Sequence, residues 1–435
     1  MLTIKDSSTK RNNNRTVLGI DLTDNYSQIS FFKASSDEPQ TASAIIGSEM
    51  YNIPTILAKR PGVGQWFYGR EAYKYAQNEG IMVDRLIEKS IRGEGVIVEE
   101  ETYDPIALLA LFVKRMMGLV SSYVSTKDIT GVMFTVESLD TRMVEVLNKL
   151  VAYLGLDNVS VSYLSHVESF YYYMLHQPTE LWQYQVMVYE YNDILKTMCF
   201  SCAHKTTPEV VTIDEADYST MQRVEDTEDQ ALLEERKLRL DETFLHIVEE
   251  SLEHRDVTTV YLLGDGFKSD WAKDSLKILC RNRRVFQGNN LYSKGACFGM
   301  MDRLEPSEIS KSHVYLGAEK LKFNIGMKVN RRGTESYLAA LDAGSNWFEA
   351  QAAFDVILDE GDTIPFIITS VTGGSVEEKS IILDGLPKRP KGTTRLHISM
   401  EMTKVDSLEI EIEDLGFGEI IKSSGRAWSQ NLVLS

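Results

Sequence analysis

One order of segments occurs twice along this chain, and it restricts the fold more than any single residue does. The stretch "VLGIDLTDNYSQISFF", Val17 to Phe32, reads as an apolar strand, a turn at Thr23, Asp24 and Asn25, and a returning strand. "NIPTILAKR" follows as an extended run that Pro54 interrupts, as it would on a sheet edge. Asp104 and Pro105 make an N-cap and first-turn pair for "IALLALFVKRMMGLV", a helix apolar almost all round. Such a helix is expected to be buried. "GVMFTV" predicts a strand. Asp140 then caps a helix with Met143, Leu147, Leu150, Val151 and Leu154 on one face, Gly155 stops it, and "VSVSY" gives the next strand.

After Tyr184 the order returns. "YQVMVYEY" and "LKTMCFS" predict a second hairpin, and a charged stretch from Asp214 to Glu235 leads into a helix carrying Phe244, Leu245, Val248 and Leu252. "TTVYLLG" predicts a buried strand ending at Gly264, and Leu276, Ile278 and Leu279 mark a helix after Asp270. Strand and helix alternate at the spacing of α/β units. From about Ser312 the texture changes to short alternating runs, "AAFDVIL", "TIPFIIT", "KSIILDGL", "TRLHISMEM" and "LEIEIED", separated by Gly, Pro and Asp turns. That is the pattern of a β-sandwich, and the boundary is expected between Glu305 and Ser312.

Charge and cysteine usage exclude several functions. A net charge of −18 disfavours a phosphate backbone as partner, since nucleic-acid binders need clustered Lys and Arg, and the one dense basic run is the short Arg281 to Arg284. No window approaches a membrane span, and the polar start, expected to be disordered over residues 1–15, has no apolar signal-peptide core. A cytoplasmic protein is expected. Four cysteines suit a reducing compartment. Cys199 and Cys202 form a C-x-x-C followed by His204, but no second pair completes a zinc site, and cysteines beside a buried strand are the preferred reading.

Two hairpin-and-helix halves followed by a sandwich resemble the DnaK-type 70-kDa heat-shock chaperones, whose ATPase domain belongs to the actin and hexokinase superfamily. "GIDLTDNYSQISFF" stands where that family has its first phosphate loop. "NIPTILAKR" with "WFYGREAYKYA" is similar to its Pro-Ser strand and Ile-Gly-x-x-Ala segment, and "GVMFTVESLDTRMVEVLNKLVAYLGL" to the strand and helix joining the halves. "VYLLGDGFKSDWAKDSLK" and "NNLYSKGACFGM" resemble the adenosine loop and second connecting helix, and "LDGLPKRPKGTTRLHISMEM" the peptide-binding sandwich. The resemblance runs in order over residues 17 to 420. It implies an α/β two-lobed actin-like ATPase fold of ribonuclease H-like repeats at 16–308, with lobe I at about 16–183 and lobe II at about 184–308, and, where no nucleotide moves the lobes, Ile106 to Val120 as a fixed strut between them. An all-β sandwich follows at 312–435 without a helical lid. Some fifty residues, Ala203 to Val257, stand in for the helical subdomain that covers adenine in the family.

The same resemblance implies that the nucleotide site is degenerate. Asp21 matches the family's first loop, but Thr23, Asp24 and Asn25 replace Gly-Thr-Thr, and a carboxylate at Asp24 would repel a triphosphate. In the second loop Glu190 keeps a position that could hold a magnesium water, while Asn192, Asp193 and Ile194 replace three glycines. Asp84 falls where the catalytic lysine belongs, with Lys89 on another helical face. His166 and Glu168 occupy the motif of the water-positioning glutamate, where packing is the preferred role. Gly264, Asp265, Gly266 and Lys268 keep part of the adenosine loop. No catalytic residue, metal or cofactor is assigned. The expected function is a non-hydrolysing pseudo-ATPase that binds a protein or peptide partner through the sandwich or the lobes. An active chaperone using ATP and magnesium, with His166, Glu168 and Lys89 as substitutes, and an actin-like assembly protein are the alternatives.

Overall fold

A computed structural model of the chain describes residues 15–434 except 46, 79, 206, 223–228, 289 and 372–374. The disorder expected over residues 1–15 thus falls outside the described residues, Arg15 apart. The protein is mixed α/β with several sheets, and its C-terminal part is mostly strands. It divides into two compact units, Met1–Val314 and Tyr315–Ser435.

The first sheet is built around Thr16–Asp21 (β1), buried at every position because it has a strand on each side. Tyr26–Lys33 (β2) returns antiparallel to it, followed by Gln40–Thr41 (β3). Ile129–Val136 (β4) runs parallel to β1, and Ser160–Ser165 (β5) parallel to β4. The strand order is β5-β4-β1-β2-β3. Pro54 pairs with the first residue of β2, away from the central ladder, as a strand proline must.

Besides Gly69–Ala76, the α-helices of this half are Leu86–Arg92 (α1), Pro105–Val120 (α2), Thr141–Leu154 (α3) and His166–Leu175 (α4). Asp104 accepts from the Ile106 amide at 3.0 Å with Pro105 in the first turn, and Asp140 accepts from the Met143 amide at 2.8 Å. Gly155 ends α3 at φ +66°, so these caps lie where the sequence puts them. α2 is largely buried as expected, but it packs on α1, α3 and β2, all in the first half. It is a core helix of that half, and the expected strut is not found there.

The second sheet repeats the first. Gln185–Tyr191 (β6) and Ile194–Ala203 (β7) form the hairpin, Glu209–Gln222 (β8) extends it, and Val257–Leu263 (β9) and Arg284–Gln287 (β10) run parallel beyond β6. The order is β10-β9-β6-β7-β8, with the short strand His313–Tyr315 (β11) at the end. The stretch from Asp214, expected to lead into a helix, is therefore strand as far as Gln222, and the helix Gln230–Leu252 (α5) starts only at the Asp229 cap. The strand was hidden because β8 is exposed along most of its length and shows no apolar alternation. Lys273–Leu279 (α6) follows β9.

Leu291–Leu304 (α7) closes the unit by crossing back to the first sheet, where it packs on β1, β2, β4 and α4. Val17, Met133 and Leu164 meet Ala296, Cys297 and Met300 in one buried cluster. Glycine permits the approach. A Cβ on Gly295 would stand 1.9 Å from the Ser169 carbonyl oxygen, and one on Gly19 2.0 Å from that of Ser293.

In the second unit Phe323–Arg331 (β12), Thr334–Leu341 (β13), Gln351–Leu358 (β14), Thr363–Ser370 (β15), Val376–Ile382 (β16), Thr394–Lys404 (β17), Ser407–Gly416 (β18) and Ala427–Val433 (β19) form two antiparallel sheets, β13-β12-β15-β16 and β14-β17-β18-β19. The buried residues of β17, Leu396, Ile398, Met400 and Met402, recur at every second position, the period of a strand buried on one face. The loop "LPKRPKG" is tied down by Arg389, which donates two hydrogen bonds to the Asp414 carboxylate at 2.6 and 2.7 Å. Ser424 adds donors to the same carboxylate from its amide and hydroxyl, and Gly416 from its amide.

Candidate functional site

Asp21 ends β1, and Glu190 stands at the matching end of β6. In open α/β sheets ligands bind beyond this end of the strands. Here the path between the two carboxylates is taken by side chains of the protein. His166 Nε2 lies 2.8 Å from Asp21 Oδ1. Its ring rests on that of Tyr292, with centroids 4.0 Å apart and planes 6° from parallel, and the Tyr292 hydroxyl donates to Glu190 Oε2 at 2.5 Å. His166 opens α4 and Tyr292 stands near the start of α7, so the glycine contact between those helices is what brings the rings together.

Charge explains the protonation of this group. Burial pulls the His166 pKa down, but Asp21, through charge and hydrogen bond, together with Glu190 and Glu137 raises it above its ordinary value. Burial raises the Glu190 carboxyl, against the opposing effects of His166 and the Tyr292 hydrogen bond. An imidazole on a carboxylate is the base half of many hydrolytic sites. His166 is only 7% exposed, and Tyr292 covers one face of its ring.

The loops around this pair are tied to each other. Thr23 binds Tyr26 within its own turn, its hydroxyl donating to the Tyr26 carbonyl at 2.6 Å. The Asn25 carbonyl accepts from the Thr55 amide at 3.2 Å. Asp24 points toward a helix end: it accepts from the Ile87 amide at 2.8 Å and the Glu88 amide at 3.1 Å. The N-cap of α1, Arg85, sits at φ +47° and makes no side-chain cap, so Asp24 supplies it. Asp84 binds Lys89, Nζ to Oδ1 at 3.0 Å, which holds its carboxyl below the ordinary range.

Asn192 donates to Glu190 at 3.0 Å and accepts from the Asp265 amide at 3.2 Å, joining the second loop to the loop after β9. Gly264 has φ +92°, and a Cβ there would lie 2.4 Å from the Tyr191 carbonyl oxygen; one on Gly266 would lie 2.2 Å from the Tyr191 ring. Both glycines thus serve the packing of Tyr191 against Phe267 and Trp271. Lys268 pairs with Asp265 at 2.7 Å, and Asp193 is exposed in the hairpin turn. Glu168 is buried at 1% exposure, and its amide donates to the Ser165 hydroxyl at 3.2 Å. Ser165 and Glu168 have the S-x-x-E spacing of a capping box, a local signal that was legible in the sequence and passed over.

Asp21, His166, Glu190, Asn192 and Asp265 are therefore brought together, while Asp24, Asp84 and Glu168 serve neighbouring helices. Sequence reasoning missed Tyr292, and it missed Gln28 and Asn52, which link β2 to Asp265 by hydrogen bonds of 2.6 and 3.3 Å. No periodicity or motif marks those three.

Comparison with known families gives two matches. Residues 38–318 match the C-terminal model of a family of unknown function (DUF5716), and residues 320–434 match a domain of unknown function (DUF8552). No curated protein matches the chain.

Proposed function

The chain belongs to the family of unknown function DUF5716, and we propose that it works as a non-hydrolysing, chaperone-like protein-binding module. In this reading its first unit is a divergent two-lobed actin-type body that holds no nucleotide. The matching strand orders β5-β4-β1-β2-β3 and β10-β9-β6-β7-β8 support the two-lobed fold. Two four-stranded antiparallel sheets support the likeness of the second unit to a peptide-binding sandwich.

One observation carries the loss of nucleotide: the stacked rings of His166 and Tyr292 span the path from Asp21 to Glu190. Phosphoryl transfer depends on backbone amides and cations placed around the phosphates. In their place stand a carboxylate spent on capping α1, a lysine held by Asp84, and two loops closed on each other through Asn192.

Calorimetry and thermal shift with MgATP test the reading. A dissociation constant weaker than 1 mM stabilises the protein by less than about 0.4 kcal/mol at 1 mM ligand, so both measurements should be flat. Suppression of aggregation of a denatured reporter enzyme should be the same with and without MgATP. A thermal shift of several degrees, or reporter protection that requires ATP, would establish a working nucleotide cycle and overturn the proposal.

A further inference from the structure

The C-x-x-C is not a unit. It lies on β7, where neighbouring side chains point to opposite faces, so residues three apart diverge. Cys199 enters the core of the second sheet at 2% exposure, and Cys202 emerges on the other face. There Cys202 Sγ, a His204 ring nitrogen and a Glu209 carboxylate oxygen all lie within 4.8 Å of one another. Glu209 Oε2 is the common point, 3.4 Å from Cys202 Sγ and 2.5 Å from His204 Nδ1.

Another ring stands beside this cluster. His313 Nε2 stands 3.4 Å from the same Glu209 oxygen. Its other nitrogen, Nδ1, is 3.0 Å from the Ile309 carbonyl oxygen. The Ser312 hydroxyl lies at the same distance from Nδ1, 3.0 Å, so both ring nitrogens have polar neighbours. Trp182 holds the ring at a centroid distance of 5.5 Å, and His313 is only 9% exposed.

We propose that Cys202, His204 and Glu209 form a zinc site, with His313 standing beside Glu209. Thiolate, imidazole and carboxylate are the donors zinc prefers, and bonds of about 2.0–2.3 Å give tetrahedral edges of roughly 3.3–3.8 Å. The Cys202–Glu209 separation of 3.4 Å has that length, and the His204 contact lengthens by about 1 Å on insertion of the ion. One thiolate and one carboxylate neutralise the dication. Three protein ligands leave one position of the tetrahedron for water. The ion ties the two strands of the β7–β8 hairpin together across its turn.

The test uses the full chain, stripped with a chelator and titrated with Zn²⁺ against a chromophoric competitor. One ion per chain is expected, and Cys202→Ser and His204→Ala should each weaken binding by about 100-fold or more. Co²⁺ should give a thiolate charge-transfer band that disappears in Cys202→Ser and persists in Cys199→Ser and Cys280→Ser. His204 is half exposed, so its variant folds and keeps the test decisive. Absence of Zn²⁺ uptake at tens of micromolar, or a Co²⁺–thiolate band that survives Cys202→Ser, would overturn the site.

Discussion

Gly295→Ala isolates the contact that builds the cleft. Gly295 lies in the middle of α7, where alanine is intrinsically better by about 0.8–1.0 kcal/mol. Helix propensity alone therefore predicts a more stable protein. Packing predicts the reverse. The new Cβ would stand 1.9 Å from the Ser169 carbonyl oxygen, and ordinary contact begins near 3.4 Å, so α4 and α7 must part by about 1.5 Å. The obstacle is backbone and cannot rotate away, and Ser169 is itself held to β4 by a 2.7 Å hydrogen bond to Thr135. Overpacking costs typically about 1–3 kcal/mol; with a rigid obstacle the upper end applies, and a net loss of about 2 kcal/mol is expected after the propensity gain. Gly118→Ala in α2 is the control, because nothing lies within 4 Å of its added Cβ. It should stabilise by up to about 1 kcal/mol. Urea titration followed by helical circular dichroism reads both, since all α-helices among the described residues lie in the first unit. A Gly295→Ala protein as stable as the parent would refute the close crossing of α4 and α7, and with it the account of how His166 meets Tyr292.

Two further outcomes concern charge. Arg389→Ala leaves the fully buried Asp414 carboxylate without its cation and should cost about 3–5 kcal/mol, read from the thermal melt of the strand signal; a loss under about 1 kcal/mol would contradict this. Arg389, with Ser424 and Gly416, holds the Asp414 carboxyl well below the usual range, so the stabilisation is present above about pH 4 and fades as pH falls toward the folded value. Asp414→Asn should lose that acid dependence. His166 has the opposite sign. Its pKa is raised, so its contribution is full below about pH 6.5 and is lost as pH rises through the folded value. Melting of the first unit should fall over that range in the parent and not in His166→Gln; equal slopes would show that the Asp21–His166 pair does not titrate as described.

Local signals in the sequence located the elements well. The caps at Asp104 and Asp140, the stop at Gly155 and the marginal position of Pro54 each rest on the geometry of one turn and are legible without a partner. Asp24 shows the limit. Its role is fixed by amides 63 and 64 residues further on, and no local pattern reveals that a carboxylate in a turn caps a distant helix. The C-x-x-C reads as cysteines beside a buried strand, and both do lie on β7; what the motif hides is that the two part company because strand neighbours face opposite ways. Tyr292 was unreadable because its value comes from a ring 126 positions earlier in the chain.

The return of α7 to the first sheet also sets an order of events during synthesis. β1, β2, β4 and β5 have all left the ribosome while their cover is still being made. At about 5–20 residues per second, the delay before Leu304 emerges is on the order of ten seconds. Over that interval Val17, Met133 and Leu164 await Ala296, Cys297 and Met300. The first half of the unit therefore finishes folding only after the second half has been translated, and the two mature together rather than in turn.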